Sequence, residues 1–229
     1  MKTSLIRNML ISAALLATFG GLGTAMVMAT YEATKDQIEA SEKAVLLRNL
    51  NTIIPPESYT NKLLEKTLLV PEASQLGNKG ETTIYQAWQG KTPVAVAFAI
   101  TTNEGYSGEI KLLIAIKANG HVSGVRVISH KETPGLGDKI DIAKNDWILG
   151  FNDKQLVKSK TSQWKVKKDG GIFDQFTGAT ITPRAVVNAV YKALDYFNHN
   201  HEKLFLDQEK YQQLNSPSSP LKTSVSEKL

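Results

Sequence analysis

The distribution of hydrophobic residues divides the chain into an uncharged N-terminal run and a patterned remainder. No charged residue occurs from Met9 to Thr30, and about 22 residues at about 1.5 Å each make a helix long enough to cross a bilayer. Beyond this run, apolar residues recur at helical spacing among charged ones until Pro55-Pro56. The pattern predicts a transmembrane helix at residues 9–30, followed by a helix leading away from the membrane.

The central part of the chain has the pattern of a β-sheet. Four runs rich in valine, isoleucine and aromatic residues predict strands at Thr82–Trp88, Val94–Ile100, Ile110–Lys117 and Val122–Ser129. Asn119-Gly120 is typical of a tight hairpin turn between the last two. Asp141–Phe151 has the pattern of a short helix, and a longer helix is indicated by one apolar face of Val186, Val190, Leu194 and Phe197.

These elements predict an α+β domain at residues 31–206, in which helices flank an antiparallel sheet. Residues 207–229 are polar, with Pro217, Pro220 and several serines near the end, so we expect a disordered tail there.

Charges around the apolar run predict its orientation. Lys2 and Arg7 precede it and Glu32 and Asp36 follow it, so residues 1–8 are expected in the cytoplasm and the domain in the periplasm of a bacterium. A cleaved signal peptide is the alternative, because Val27–Ala29 offers small residues suited to cleavage. The apolar run exceeds the usual ~7–15 residues of a signal core, which favours a retained inner-membrane anchor.

Composition narrows the chemistry. The 229 residues include no cysteine, which excludes iron–sulfur clusters, disulfides and thiolate nucleophiles, so redox chemistry requires an organic cofactor. The four histidines, His121, His130, His199 and His201, lack metal-site spacing, and we predict no metal site.

The basic residues do not indicate a nucleic-acid partner. The formal net charge of +5 comes from scattered residues, with Lys165, Lys167 and Lys168 as the tight group after the N-terminus. No aromatic-studded basic face or DNA-binding spacing accompanies them. These lysines are therefore interpreted as solvated surface.

One segment has the features of a phosphate site. It runs from Asp174 to Thr180 and is followed by Ile181-Thr182-Pro183 and the apolar helical pattern. Thr182 suits the N-cap and Pro183 the first helical position, which places Thr180 just ahead of unpaired backbone N–H groups. Such helix starts bind phosphate, Gly178 permits close approach, and Arg184 adds positive charge. The alternative is an ordinary helix start whose threonines bond local backbone.

A second segment suits a flat ligand. Glu132-Thr133-Pro134-Gly135-Leu136-Gly137 lies between a predicted strand and a predicted helix. Pro134-Gly135 favours a turn, and Gly137 allows backbone to approach a ring closely. Taken alone, a glycine-bearing loop of this kind is usually a simple turn.

Both segments carry a resemblance to a known family. Asp174, Thr177, Gly178, Ala179 and Thr180 match the flavinylation motif Asp-x-x-[Ser/Thr]-Gly-Ala-Thr of bacterial FMN-binding domains. With the anchor, Gly105–Gly108, the Glu132–Lys139 loop and Asp146-Trp147, the sequence resembles the RnfG component of the Rnf electron-transport complex, also called Rsx, over nearly its whole length. The C subunit of the sodium-translocating quinone reductase is the nearest competitor, because it shares the anchor and the motif.

The resemblance implies a cofactor and partners. One FMN per chain is esterified through its phosphate to Thr180, with Asp174, Thr177, Gly178, Ala179 and Thr182 in the attachment site. Glu132, Thr133, Leu136 and Gly137 are expected to hold the ring. A separate flavin transferase attaches the cofactor, because the chain carries neither a nucleotide-transfer motif nor catalytic residues of its own.

The resemblance also implies a role. The chain is expected to relay electrons inside a membrane complex that is similar to ferredoxin:NAD oxidoreductases coupled to ion movement, or that re-reduces an iron–sulfur regulator. Two other classes stay open from sequence: a free-standing periplasmic flavin reductase or sensor, and a non-redox anchor protein that scaffolds a complex.

Overall fold

A computed structural model describes the backbone of residues 2–215 and the side chains of residues 6–214. The chain divides into two compact units, Met1–Leu46 and Leu47–Leu229. The prediction for residues 216–229 lies outside the described residues.

The first unit consists of helix α1, which spans Lys2–Ile53 and ends inside the second unit. Its apolar side chains are exposed over the predicted span, including Leu16, Phe19 and Met26, each at least 74% exposed. The hydroxyls of Thr18 and Thr24 donate to carbonyl oxygens four residues earlier, so polar groups are satisfied within the helix as a bilayer requires. The two helices predicted from sequence are one, because no proline or helix-ending glycine separates them.

The second unit is built on one antiparallel sheet of five strands in the order β1-β2-β3-β4-β5. Its strands are β1 (Thr67–Val70), β2 (Thr82–Gln89), β3 (Thr92–Gly105), β4 (Gly108–Lys117) and β5 (Val122–Ser129). The predicted fold class and four predicted strands are confirmed, and β1 is an additional strand. Gly120 takes a positive φ of 85° in the β4–β5 turn, as the Asn-Gly pattern predicts.

Helix α2 (Ile181–Asn200) packs against β3 and β4 and closes the core on one face of the sheet. The residues of its predicted apolar face, Val186, Val190, Leu194 and Phe197, are all buried. The end of α1 also joins this unit, where Leu50 and Ile53 are buried. A Cβ atom at Gly124 of β5 would come within 2.9 Å of the Ile53 side chain, so the strand meets the helix end without an intervening side chain.

The chain from β5 to α2 contains no regular strand within the described residues. It forms 3-10 helices at Gly137–Ile140, Asp146–Phe151, Lys158–Gln163 and Lys167–Asp169, and others lie at Pro56–Ser58, Ser74–Leu76 and Lys203–Phe205. The helix predicted at Asp141–Phe151 is thus shorter, because Asn145 caps it by accepting a hydrogen bond from the Trp147 N–H.

The expectation of a disordered tail is wrong for its first residues. Helix α3 (Gln208–Asn215) packs on β1 and buries Tyr211. The side-chain amide of Gln208 accepts from the Leu69 N–H at 2.7 Å and donates to the Leu69 carbonyl at 3.3 Å. The burial of Tyr211 and the bonds of the Gln208 amide are contacts that the polar composition of this segment does not indicate.

Candidate functional site

The flavinylation segment turns tightly just before α2. Gly178 has a φ of 81°, a conformation that favours glycine, and the Ala179 N–H donates to the Phe176 carbonyl at 3.1 Å. Thr180 follows at the N-cap position, half-buried, with φ −85° and ψ −21°. Its hydroxyl makes no capping hydrogen bond to the described residues of the helix. The segment therefore presents a threonine hydroxyl that the described residues leave free.

Helix α2 begins two residues earlier than the sequence predicted. The prediction that Thr182 caps the helix is wrong: it lies inside the first turn, fully buried, and its hydroxyl donates to Glu132 Oε2. Within this turn Pro183 has no N–H, but the N–H groups of Ile181 and Thr182 have no helical carbonyl partner. The helix end beside Thr180 retains donors and the positive end of the helix dipole.

Glu132 connects three segments of the site. It is only 4% exposed, and its second carboxylate oxygen, Oε1, accepts a hydrogen bond from the Ser107 N–H at 2.9 Å. With the bond from Thr182, both oxygens have internal donors. Glu132 thus joins the β3–β4 turn, the loop after β5 and the start of α2. Its geometry is that of a positioning residue, and the ring contact expected from the sequence stays a prediction.

Gly137 makes this junction possible. A Cβ atom there would lie 2.7 Å from Glu132 Oε2 and 2.8 Å from Thr182 Oγ1. The absence of a side chain at Gly137 therefore leaves room for the buried hydrogen bond between Thr182 and Glu132. The sequence predicted a close approach of a flat ligand at Gly137, and the groups that approach it within the protein are the side chains of Glu132 and Thr182.

The rest of the loop comes against the flavinylation segment. The Thr133 carbonyl accepts from the N–H groups of Leu136 and Gly137, each at 3.1 Å, which closes the loop tightly. Leu136 is 41% exposed, and its Cδ2 lies 3.5 Å from the position of a Cβ on Gly178. The two segments singled out in the sequence thus meet at an exposed apolar side chain.

Asp138 adds an unsatisfied polar atom to the same loop. The residue is 8% exposed, and its Oδ1 is buried without a hydrogen-bond partner among the described residues. Leaving such an acceptor unpaired costs about 1–3 kcal/mol. A free hydroxyl, helix-end amides and an exposed leucine together suit FMN, which has a phosphate and an amphipathic ring.

An aromatic cluster supports the beginning of the flavinylation segment. Trp147 Nε1 donates to the Asp174 carbonyl at 2.8 Å, and its ring meets Phe176 and Phe151 edge-on at centroid distances of 5.1 and 5.4 Å. Sequence reasoning missed this role of Trp147. The Asp174 carboxylate itself is exposed and lies 2.5 Å from Lys167 Nζ.

Arg184 does not face the candidate phosphate site as a free cation. Its guanidinium makes two bonds to the Asp169 carboxylate, at 2.6 and 2.7 Å. This pairing holds the pKa of Asp169 below its usual value, and the charges of Lys165 and Lys168 contribute in the same direction. The positive charge that we expected Arg184 to add at the phosphate site is thus balanced by the Asp169 carboxylate.

Known proteins resemble this chain over both units. The FMN-binding domain family matches residues 105–195, and the RnfG N-terminal region matches residues 1–53. The G subunit of the ion-translocating oxidoreductase complex of Shewanella loihica is 47% identical over 204 residues, which cover 89% of this chain and 94% of the relative. Its counterpart in Pseudoalteromonas atlantica is 45% identical over 205 residues (90% and 94%). That of Vibrio cholerae is 46% identical over 204 residues (89% and 95%).

Proposed function

The chain belongs to the RnfG family, the G subunits of ion-translocating oxidoreductase complexes, and from this premise we propose that it carries FMN as a phosphoester on Thr180. It is an FMN-binding electron-transfer subunit of an Rnf-type complex, with an N-terminal membrane helix and other subunits as partners. The proposal adds the attachment residue, the covalent bond and one FMN per chain.

The observation that carries the proposal is the free hydroxyl of Thr180 at the start of a 20-residue helix. A phosphate on this oxygen would lie next to N–H groups that have no helical partner and next to the positive end of the helix dipole. The neighbouring hydroxyls are less suited. Thr182 is fully buried and bonded to Glu132, and Thr177 precedes the Gly178 turn.

Attachment requires a second protein. A flavin transferase that uses FAD breaks the pyrophosphate bond, forms the bond between phosphorus and Thr180 Oγ1, and releases AMP, while the hydroxyl proton leaves to a base. The exposed Asp174 carboxylate, with Lys167 beside it, is accessible for recognition by that enzyme. The hydrogen bond from Trp147 to the Asp174 carbonyl ties the start of this segment to the domain.

The remaining residues position the cofactor. FMN, when bound, supplies the electron transfer, and the protein supplies orientation and environment. Leu136, Thr133 and Gly178 offer an accessible surface for the ring, while Glu132, Thr182 and Gly137 fix that surface to α2. We place this domain in the periplasm and the anchor in the inner membrane, on the support of Lys2 and Arg7 ahead of the uncharged span.

The test is the covalent flavin on the intact full-length chain, produced together with an active flavin transferase. Wild type should gain about 438 Da and fluoresce in a denaturing gel, whereas Thr180→Ala should do neither. Thr92→Ala, which removes an exposed hydroxyl outside the flavinylation segment, is the matched control and should retain flavin. A fluorescent Thr180→Ala band, or a wild-type chain that never gains the mass, would refute the assignment.

A further inference from the structure

A lysine-rich surface lies beside the attachment segment. The stretch from Lys154 to Lys168 contains six lysines, all exposed, and no carboxylate. We call five of them the lysine face: Lys158, Lys160, Lys165, Lys167 and Lys168. Within the described part of the chain, Lys167 alone of the five forms a close ion pair, with Asp174, whereas Lys165 and Lys168 act on Asp169 only at longer range.

The lysine face is held against the flavinylation segment by its backbone. The Lys167 N–H donates to the Phe173 carbonyl at 2.7 Å, and Val166 and Phe173 form a β-bridge. The Lys168 N–H donates to Gln175 Oε1 at 3.2 Å. The lysine face is therefore fixed to the segment that ends at Thr180.

A cleft of about 700 Å³ lies between this stretch and α2. Trp164, Val166 and Val187 supply nearly or fully buried apolar lining, and Tyr191 is half-buried. Lys165 lies at the same cleft, along with the Asp169–Arg184 pair and the hydroxyls of Thr161 and Ser162. Glu104 also lines it, so the cleft combines an apolar interior with a polar border on which two carboxylates balance Lys165 and Arg184, and the excess positive charge lies on the lysine face beside it.

We propose that the lysine face and this cleft form the docking surface for an acidic face of a neighbouring subunit of the complex. Unpaired cations repel each other at separations below the Debye length of about 8 Å, and an opposing set of carboxylates relieves that repulsion. Complementary charge also accelerates association by about 10- to 1,000-fold.

The cleft favours a protein over a lipid surface. Its apolar and hydroxyl lining suits a protruding side chain, which the flat headgroup layer of a membrane does not supply. A partner seated here lies beside the segment that carries Thr180. The inference rests on the proposed function only for the position of FMN, since the charge and the shape of the surface do not depend on a flavin.

Carbodiimide cross-linking in membranes that contain the whole complex tests the proposal, because this reagent joins a lysine amine to a carboxylate in contact with it. Wild type should give an intersubunit product in which mass spectrometry finds Lys165 or Lys168 bonded to an aspartate or glutamate. The double variant Lys165→Arg, Lys168→Arg keeps both charges but lacks the amines, and should lose at least about 80% of that product while the complex stays assembled. Lys91→Arg, in the exposed β2–β3 turn, is the matched control and should leave the product unchanged.

A charge-reversal variant provides a second test of the proposal. Lys165→Glu with Lys168→Glu should weaken retention of the other subunits by about tenfold or more at low salt, with covalent flavin unchanged in the same gel. Absence of an intersubunit product in wild type, or an undiminished product in the arginine variant, would overturn the proposal. So would loss of binding to phosphatidylglycerol vesicles in the glutamate variant with unaltered subunit retention. Thr180→Ala should keep the cross-link, so failure of this proposal is distinguishable from failure of flavin attachment.

Discussion

The hydrogen bond between Thr182 and Glu132 offers a sharp test of how the site is held together. Thr182→Val removes the hydroxyl but keeps a β-branched side chain of similar shape in the first turn of α2. Glu132 Oε2 then stays buried without its donor, while Oε1 retains the Ser107 N–H. Hydrogen bonds to charged groups contribute about 1.5–3 kcal/mol, so we expect the free energy of unfolding to fall by about 2–3 kcal/mol.

Urea denaturation of the full-length chain in detergent, followed by tryptophan fluorescence, measures this loss. Thr177→Val is the matched control: its side chain is exposed, and we expect a change within about 0.5 kcal/mol. Covalent flavin should persist in Thr182→Val because the attachment hydroxyl is untouched, but its absorption spectrum and potential should shift as the loop loosens. A Thr182→Val variant within about 0.5 kcal/mol of wild type, with an unchanged spectrum, would refute the positioning role of Glu132.

Contacts elsewhere in the chain support three further predictions. Trp147→Phe should lose the indole hydrogen bond to the flavinylation segment, cost about 1 kcal/mol, and slow flavin attachment in a time course of in-gel fluorescence; an unaltered rate would contradict the presenting role. Gly137→Ala should destabilise the fold by about 1–3 kcal/mol through collision with Glu132, whereas Gly150→Ala, whose Cβ would have no described atom within 4 Å, should be nearly neutral in thermal unfolding. Alkaline phosphatase fused after Asn215 should be active, and an inactive fusion would reverse the proposed orientation.

The sequence predicted those parts of the fold that local pattern determines. Four strands and the buried face of α2 follow from hydrophobic spacing, which depends on few neighbours. Strand β1 was not predicted, because its four residues, Thr67–Val70, are too few to show an alternating pattern. Helix α3 was not predicted, because its own composition is polar and it packs on a sheet edge that is distant in sequence.

The same distinction between local and long-range contacts applies to the candidate site. The turn before α2 and the approximate start of that helix are local, and the sequence located the turn but placed the helix start two residues late. The internal bonds of Glu132 could not be predicted from the sequence, because its partners lie 25 and 50 residues away along the chain, at Ser107 and Thr182. In the sequence, a buried glutamate that accepts two internal hydrogen bonds cannot be distinguished from an exposed glutamate that contacts a ligand.

The amide of Gln208 bears on how the sheet is protected. Strand β1 is an edge, and edge strands offer unpaired N–H and carbonyl groups that invite other chains to add on and aggregate. Gln208 hydrogen-bonds both backbone groups of Leu69, as a neighbouring strand would. It does so through a side chain, so no new strand edge is exposed. A soluble fragment truncated at Leu206 would retain the flavin site but uncover this edge, so preparations ending after Asn215 should resist self-association better than shorter ones.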